Sequence, residues 1–113
     1  MIIEKKDISI NDNVCFRLTS GEEIIGKLLV DDKDGITIQR PICIQIQVVG
    51  PNKAGLGFTS FMASADESNT KFRFPRSVLL CDPVKPRTDI LHQYIKMTTG
   101  LEVPTLGASL LAP

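Results

Sequence analysis

Arg73 and Arg76 bracket Phe74-Pro75 in a segment that reads as a turn, and of all residue sets in the chain these are best suited to hold a ligand. Two guanidinium groups beside an aromatic ring point to nucleic acid, and several copies arranged around a common axis would multiply them into a basic collar. The second charged segment, Asp31-Asp32-Lys33-Asp34, supplies the competing reading. There Arg76 pairs with Asp32 or Asp34, of its own or of a neighbouring subunit, and the ion pairs hold two loops together.

Other residue types that carry chemistry are poorly spaced for it. His92 is the single histidine and sits beside Gln93 in a helical stretch, with no second His four residues away and no Cys placed to complete a metal set. Cys15, Cys43 and Cys81 are odd in number, far apart, and each lies in an apolar strand pattern, where burial as a small hydrophobe is expected. A Cys and His nucleophile pair would need one of them exposed beside His92. Glu22-Glu23 reads as a solvated turn, and Gly55-Leu56-Gly57 lacks the lysine and the helix of a phosphate-cradling loop. The expectation is no enzyme, no cofactor and no metal.

The 113 residues suffice for one domain that buries roughly two thirds of its unfolded surface. Thirteen Lys plus Arg balance thirteen Asp plus Glu, so no overall field gathers nucleic acid and an anion site must come from local clustering. Met1-Ile-Ile-Glu-Lys-Lys lacks the basic-then-apolar order of a signal peptide, and no run approaches the roughly 18 apolar residues of a membrane span. A soluble cytoplasmic protein without membrane contact is expected.

The elements that must position the charged turns are mostly strands. Val14 to Leu18 is the first, closed by Thr19-Ser20-Gly21, and Glu23 to Asp31 the second, with Gly26 marking a bulge, a bend or a close backbone approach. In the third, Ile36, Ile38, Ile42, Ile44, Ile46 and Val48 share one parity, which predicts one dry face, while Thr37, Gln39, Cys43, Gln45 and Gln47 share the other. Pro41 bulges this strand or sets it at an edge, with Arg40 exposed. Gly50 to Gly55 reads as a turn, Leu56 to Ala63 as a fourth strand, and Ser64 to Thr70 as an irregular loop. Phe58 and Phe61 differ in parity, which requires a bulge or a two-sided environment. After Lys71 to Arg76 comes a short apolar strand, Ser77 to Cys81. Thr88 and Asp89 suit a helix start, Ile90, Leu91, Tyr94 and Ile95 share one side of that helix, and Gly100 can close it.

Leu18, Gly21, Gly26, Leu28 and Asp32 stand at the spacing of the first Sm motif, and Phe74 to Pro83 resembles the second in shape. The chain therefore resembles the Sm-like proteins, and its added C-terminal helix is most similar to the phage-associated members. The resemblance implies a mainly β fold: a small, strongly bent, five-stranded Sm-like (SH3-type) barrel with a C-terminal helix. Its divisions are an N-terminal extension (1–13), the barrel (14–83), the helix (84–100) and a flexible tail (101–113).

The resemblance also implies a homo-oligomeric ring of roughly five to seven subunits, since a small bent sheet leaves edges that head-to-tail pairing can close. Phe72, Phe74, Val78, Leu80 and Phe58 are its expected subunit-interface residues. Single-stranded RNA would be held by Arg76, Arg73, Lys33 and Asp32. Three positions depart from the family's base pocket: Asp34 stands where a stacking side chain belongs, Ile36 where an asparagine belongs, and Pro75 where a polar or basic residue is usual. The alternative is a ring without RNA, a structural or protein-interaction adaptor in phage or host assembly.

Overall fold

The computed structural model describes residues 8–99. The start of the N-terminal extension, the Gly100 helix stop and the tail 101–113 lie outside the described residues. Among the described residues five antiparallel strands form one sheet: β1 (Asn13–Arg17), β2 (Glu23–Asp32), β3 (Gly35–Gly50), β4 (Lys53–Ser60) and β5 (Lys71–Pro75). A 3-10 turn (Arg76–Val78) and one helix, α1 (Thr88–Thr99), follow. The order is β1-β2-β3-β4, with β5 also on β3. Residues 35–39 of β3 pair with β5 and residues 42–50 with β4, so β4 and β5 lie end to end along one edge of β3. The 61–70 excursion leaves and rejoins that edge at the Pro41 interruption, where Phe61 N donates to Pro41 O (3.2 Å) and Arg40 N to Thr70 O (2.6 Å).

The sheet curls strongly. Phe16 of β1 and Phe74 of β5 meet edge to face at 5.2 Å, although a flat sheet would hold strands three spacings apart on the order of 14 Å from each other. The inner face thereby gathers Phe16, Ile24, Leu28, Ile36, Ile38 and Phe74 into one buried cluster. Each fully buried aliphatic there contributes about 1.5–3 kcal/mol. Gly26 makes the curl feasible: a Cβ at this position would strike the Ile38 side chain and lie 3.2 Å from Gln39 O, and the β2–β3 register shifts beside it. The ladder does not close. Past the 3-10 turn, residues 79–84 run along the outer edge of β1 as a strap held by two isolated bridges, Leu18↔Leu79 and Cys15↔Val84.

On the outer face, α1 covers a second cluster in which Tyr94 packs with Ile25, Ile44 and Phe58, joined by Ile90 and Ile95. Phe61 instead packs against the inner cluster, so the two phenylalanines of opposite parity do serve two environments.

Several expectations change. Ile36 to Val48 does not present one dry face: Ile36, Ile38 and Cys43 are inside, Ile42 and Ile44 lie under α1, and Ile46 and Val48 are 77% and 83% exposed. The cause is the kink at Arg40, whose left-handed backbone (φ 53°) ahead of Pro41 shifts the alternation by one residue. The Gly50 to Gly55 turn shrinks to Pro51-Asn52, because Asn52 supplies the left-handed residue (φ 59°) of a tight hairpin and Lys53 to Gly55 join β4, which ends at Ser60. Ser77 to Cys81 is no ladder strand; the 3-10 turn takes up its start. Cys81 is accordingly exposed, while Cys15 is half-buried and Cys43 buried.

Candidate functional site

The charged turns come together at one end of the inner-face body. Between β2 and β3 the chain reverses through Lys33-Asp34, and Asp32 Oδ1 stabilises the reversal by accepting from Asp34 N (2.9 Å) and Gly35 N (3.0 Å). Gly35 pairs with Pro75 of β5, and a Cβ there would strike the Phe74 carbonyl, so only glycine allows β5 this close. That approach sets Arg73 and Arg76 over the turn.

Arg73 Nη2 donates to Asp32 Oδ1 at 2.7 Å, and its Nη1 reaches Thr37 Oγ1 at 3.4 Å. Arg76 Nη2 donates to Asp31 Oδ1 at 2.7 Å and to the Asp32 carbonyl, with Nη1 3.7 Å from Asp82. The Arg76 backbone N–H donates to Asp34 O (2.8 Å), fastening the two segments through the main chain as well. The Arg73 guanidinium, together with the two turn amides, holds the Asp32 carboxyl below its ordinary range. Lys33 is exposed at the tip.

All four residues expected to hold RNA are thus adjacent, and both arginines are occupied by carboxylates of the same chain. Asp31, Asp32, Asp34 and Asp82 outnumber Lys33, Arg73 and Arg76, so an incoming phosphate must compete with carboxylates already in place. Asp34 is exposed and Ile36 fully buried, so neither offers a base the stacking or amide contact of the family's pocket.

The residues expected at a subunit interface are scattered. Phe74 and Phe58 are buried within the chain, in the inner and outer clusters, and Phe72 and Val78 are half-buried against the inner one. Leu80 is exposed. Other aliphatics stand open that the sequence did not mark as surface residues: Ile46, Val48 and Leu56 on the β3–β4 hairpin and Val84 on the strap, with Ile10 and Val30 elsewhere. Ile46 pairs with Leu56 and Val48 with Ala54, so the hairpin residues form one patch. The alternation of the hairpin residues looks the same as that of core residues, and what distinguishes them is that no element among the described residues covers them.

Among the described residues no group of three His, Cys, Asp or Glu is placed to hold a metal, and His92 is exposed on α1. Burial pushes the Cys15 and Cys43 thiols up, away from nucleophilic character. No described helix is long and apolar enough to cross a membrane. No family model matches the chain, and no curated protein matches it.

Proposed function

We propose that the chain is an Sm-like subunit whose bent sheet is the family's barrel, and that it assembles head to tail into a ring acting as a structural or protein-interaction adaptor. The observation that carries this reading is a pair of apolar edges. Among the described residues the outer edge of β4 has no partner strand, and beside it stand Leu56, Ile46 and Val48. The strap 79–84 has its own outward edge, with Leu80 (62% exposed) and Val84 (51% exposed) beside it.

These two patches lie on the same face. Ile46 and Leu56 continue the rows of Ile44 and Phe58 under α1, and Val84 pairs with Cys15, which packs against that same outer cluster. Pairing the β4 edge of one copy with the strap edge of the next would satisfy two rows of backbone groups and join the patches into one seam. The three exposed hairpin side chains alone fall short of the ~800 Å² per partner of a standard interface, so edge pairing is required as well. The edges are different surfaces, so the contact is heterologous and closes into a ring when its rotation permits; the family range is roughly five to seven copies. The intact spacing of Leu18, Gly21, Gly26, Leu28 and Asp32 supports the barrel reading.

Single-stranded RNA binding is the second reading, favoured by the gathering of Arg73, Arg76 and Lys33 at one end, which a ring would repeat around its rim. Light scattering at micromolar concentration tests assembly: a multimer is expected, with Leu56→Asp or Leu80→Asp reducing it to monomer, and a monomeric parent chain overturns the ring. Fluorescent oligo-U and oligo-A at low salt then separate the readings. Silence from a confirmed ring favours the adaptor, whereas binding that falls with salt and with Arg76→Ala favours RNA.

A further inference from the structure

Where α1 ends, a row of polar side chains crosses the outer face of the sheet. Asn13 pairs with Lys27, Lys27 with Gln39, and Gln39 with Lys71, and directly opposed residues of antiparallel strands project from the same face. Gln39 therefore stands between two lysines, each one strand spacing of about 4.8 Å away. Arg40 follows at the kink. Beside the row, the last turn of α1 with Tyr94, Thr98 and Thr99 walls a cleft of about 210 Å³ that Asn13, Lys27, Gln39 and Arg40 also line, without a carboxylate.

Lys27, Arg40 and Lys71 make no ion pair among the described residues, in contrast to Arg73 and Arg76. Lys27 and Lys71 flank β3 from its two sides, two strand spacings or about 9.6 Å apart, with Arg40 beside Gln39 between them, a spread that long side chains can close around one anion. Thr98 Oγ1 donates to Tyr94 O (2.9 Å) and Thr99 Oγ1 to Ile95 O (2.8 Å), so both hydroxyls on this wall are already engaged, and the three cations must hold an anion against the negative end of the helix dipole. The cleft is smaller than the ~300–1,000 Å³ of a cofactor pocket and suits one small anion with its waters, each of ~30 Å³.

We propose that this row and cleft bind a single tetrahedral oxyanion, phosphate free in solution or at the end of a phosphomonoester. Lys27, Lys71 and Arg40 supply the charge, and the Gln39 and Asn13 amides supply neutral donors. The site borders Arg73, two residues along β5 from Lys71, but does not use the Arg73 and Arg76 guanidinium groups, which carboxylates engage, and it depends on neither the ring nor RNA.

The experiment is a titration of the full chain with sodium phosphate, followed through backbone amide resonances and run against sodium chloride at matched ionic strength; a glycerol phosphate arm distinguishes the free ion from the ester. Saturable shifts confined to residues around Lys27, Gln39 and Lys71 are expected with phosphate, the ester or both. Lys27→Gln and Lys71→Gln should each weaken binding about tenfold, as the loss of one charge-assisted hydrogen bond does. Arg40→Asn should do the same while keeping the left-handed backbone that asparagine tolerates. Arg73→Gln should leave the affinity within twofold. Equal shifts in chloride, or retained affinity in both lysine variants, overturn the proposal. A Lys27→Gln variant that melts lower by the same amount in phosphate and in chloride also overturns it, because the cation then serves only the helix dipole.

Discussion

The two halves of β3 carry the same alternation of isoleucine and polar residues and meet opposite fates. From Gly35 to Gln39 the strand has β2 on one side and β5 on the other, its inner face looks into a curled sheet, and Ile36 and Ile38 are fully buried. From Gln45 to Gly50 only β4 flanks it among the described residues, none of which covers its outer face, and Ile46 and Val48 stand open. Alternation therefore reports that a strand forms, and the number of layers around the strand decides whether its apolar face is core or contact surface. The joint between the halves, Arg40-Pro41, is where the face changes.

The largest effect that tests this contrast is a pair of truncations. Ile38→Ala removes a side chain from a close-packed cluster and should cost about 2–5 kcal/mol in urea unfolding. Ile46→Ala should stay within about 0.5 kcal/mol in dilute solution, as an exposed site does. If Ile46 contributes to a seam between copies, its cost should grow with protein concentration. Equal losses for the two variants at every dilution would break the comparison.

Much of the first half was legible in the sequence. Gly26 marks the bend because a missing side chain in an apolar run has few other uses, and Pro41 announces the interruption because it cannot donate to a ladder. The direction of the second half was not legible, since a one-residue shift of alternation depends on Arg40 taking a left-handed conformation that few side chains favour. Ser77 to Cys81 misled for a related reason: its apolar residues suit a strand, but the turn that sets Arg76 over Asp31 uses up its first residues, leaving Leu79 a single bridge. At the charged cluster the types of the partners were readable, and the pairing of Arg76 with Asp31 rather than with Asp32 or Asp34 carboxylates was not. The row of Lys27, Gln39 and Lys71 was invisible, because only strand register joins residues so far apart in the chain.

The next effect is at the joint. Tyr94 reaches from α1 to the kink, its hydroxyl 3.1 Å from Gln39 O and 3.0 Å from Arg40 O, and it is 3% exposed. Tyr94→Phe should cost about 1 kcal/mol, the worth of one buried hydrogen bond. Burial pushes the phenol up to about 12, against the pull of nearby Arg40. The neutral phenol's contribution is therefore complete below the unfolded value near 10 and is lost as pH rises through about 12. Tyr94 is the only tyrosine and there is no tryptophan, so ultraviolet absorbance of the phenolate reads this one group. A midpoint near 10 in the folded protein would show that the helix does not seal the joint.

The smallest effect concerns the turn that opens the buried half. Asp32 binds two backbone amides and Arg73, and its carboxyl is depressed, first by the Arg73 hydrogen bond. A depressed carboxyl stabilises fully above its unfolded value, about 3.9, and the contribution disappears as pH falls through the lower folded value. Because the pair is exposed, the change should be slight and should shrink with salt. Arg73→Gln should raise the Asp32 midpoint in a carboxyl NMR titration while leaving part of the depression, since the amides of Asp34 and Gly35 remain. If the midpoint does not move, Arg73 is not committed to Asp32 in solution and is free for an incoming phosphate. The charged cluster would then act as a binding surface, and its contrast with the uncompensated Lys27 and Lys71 row would fail.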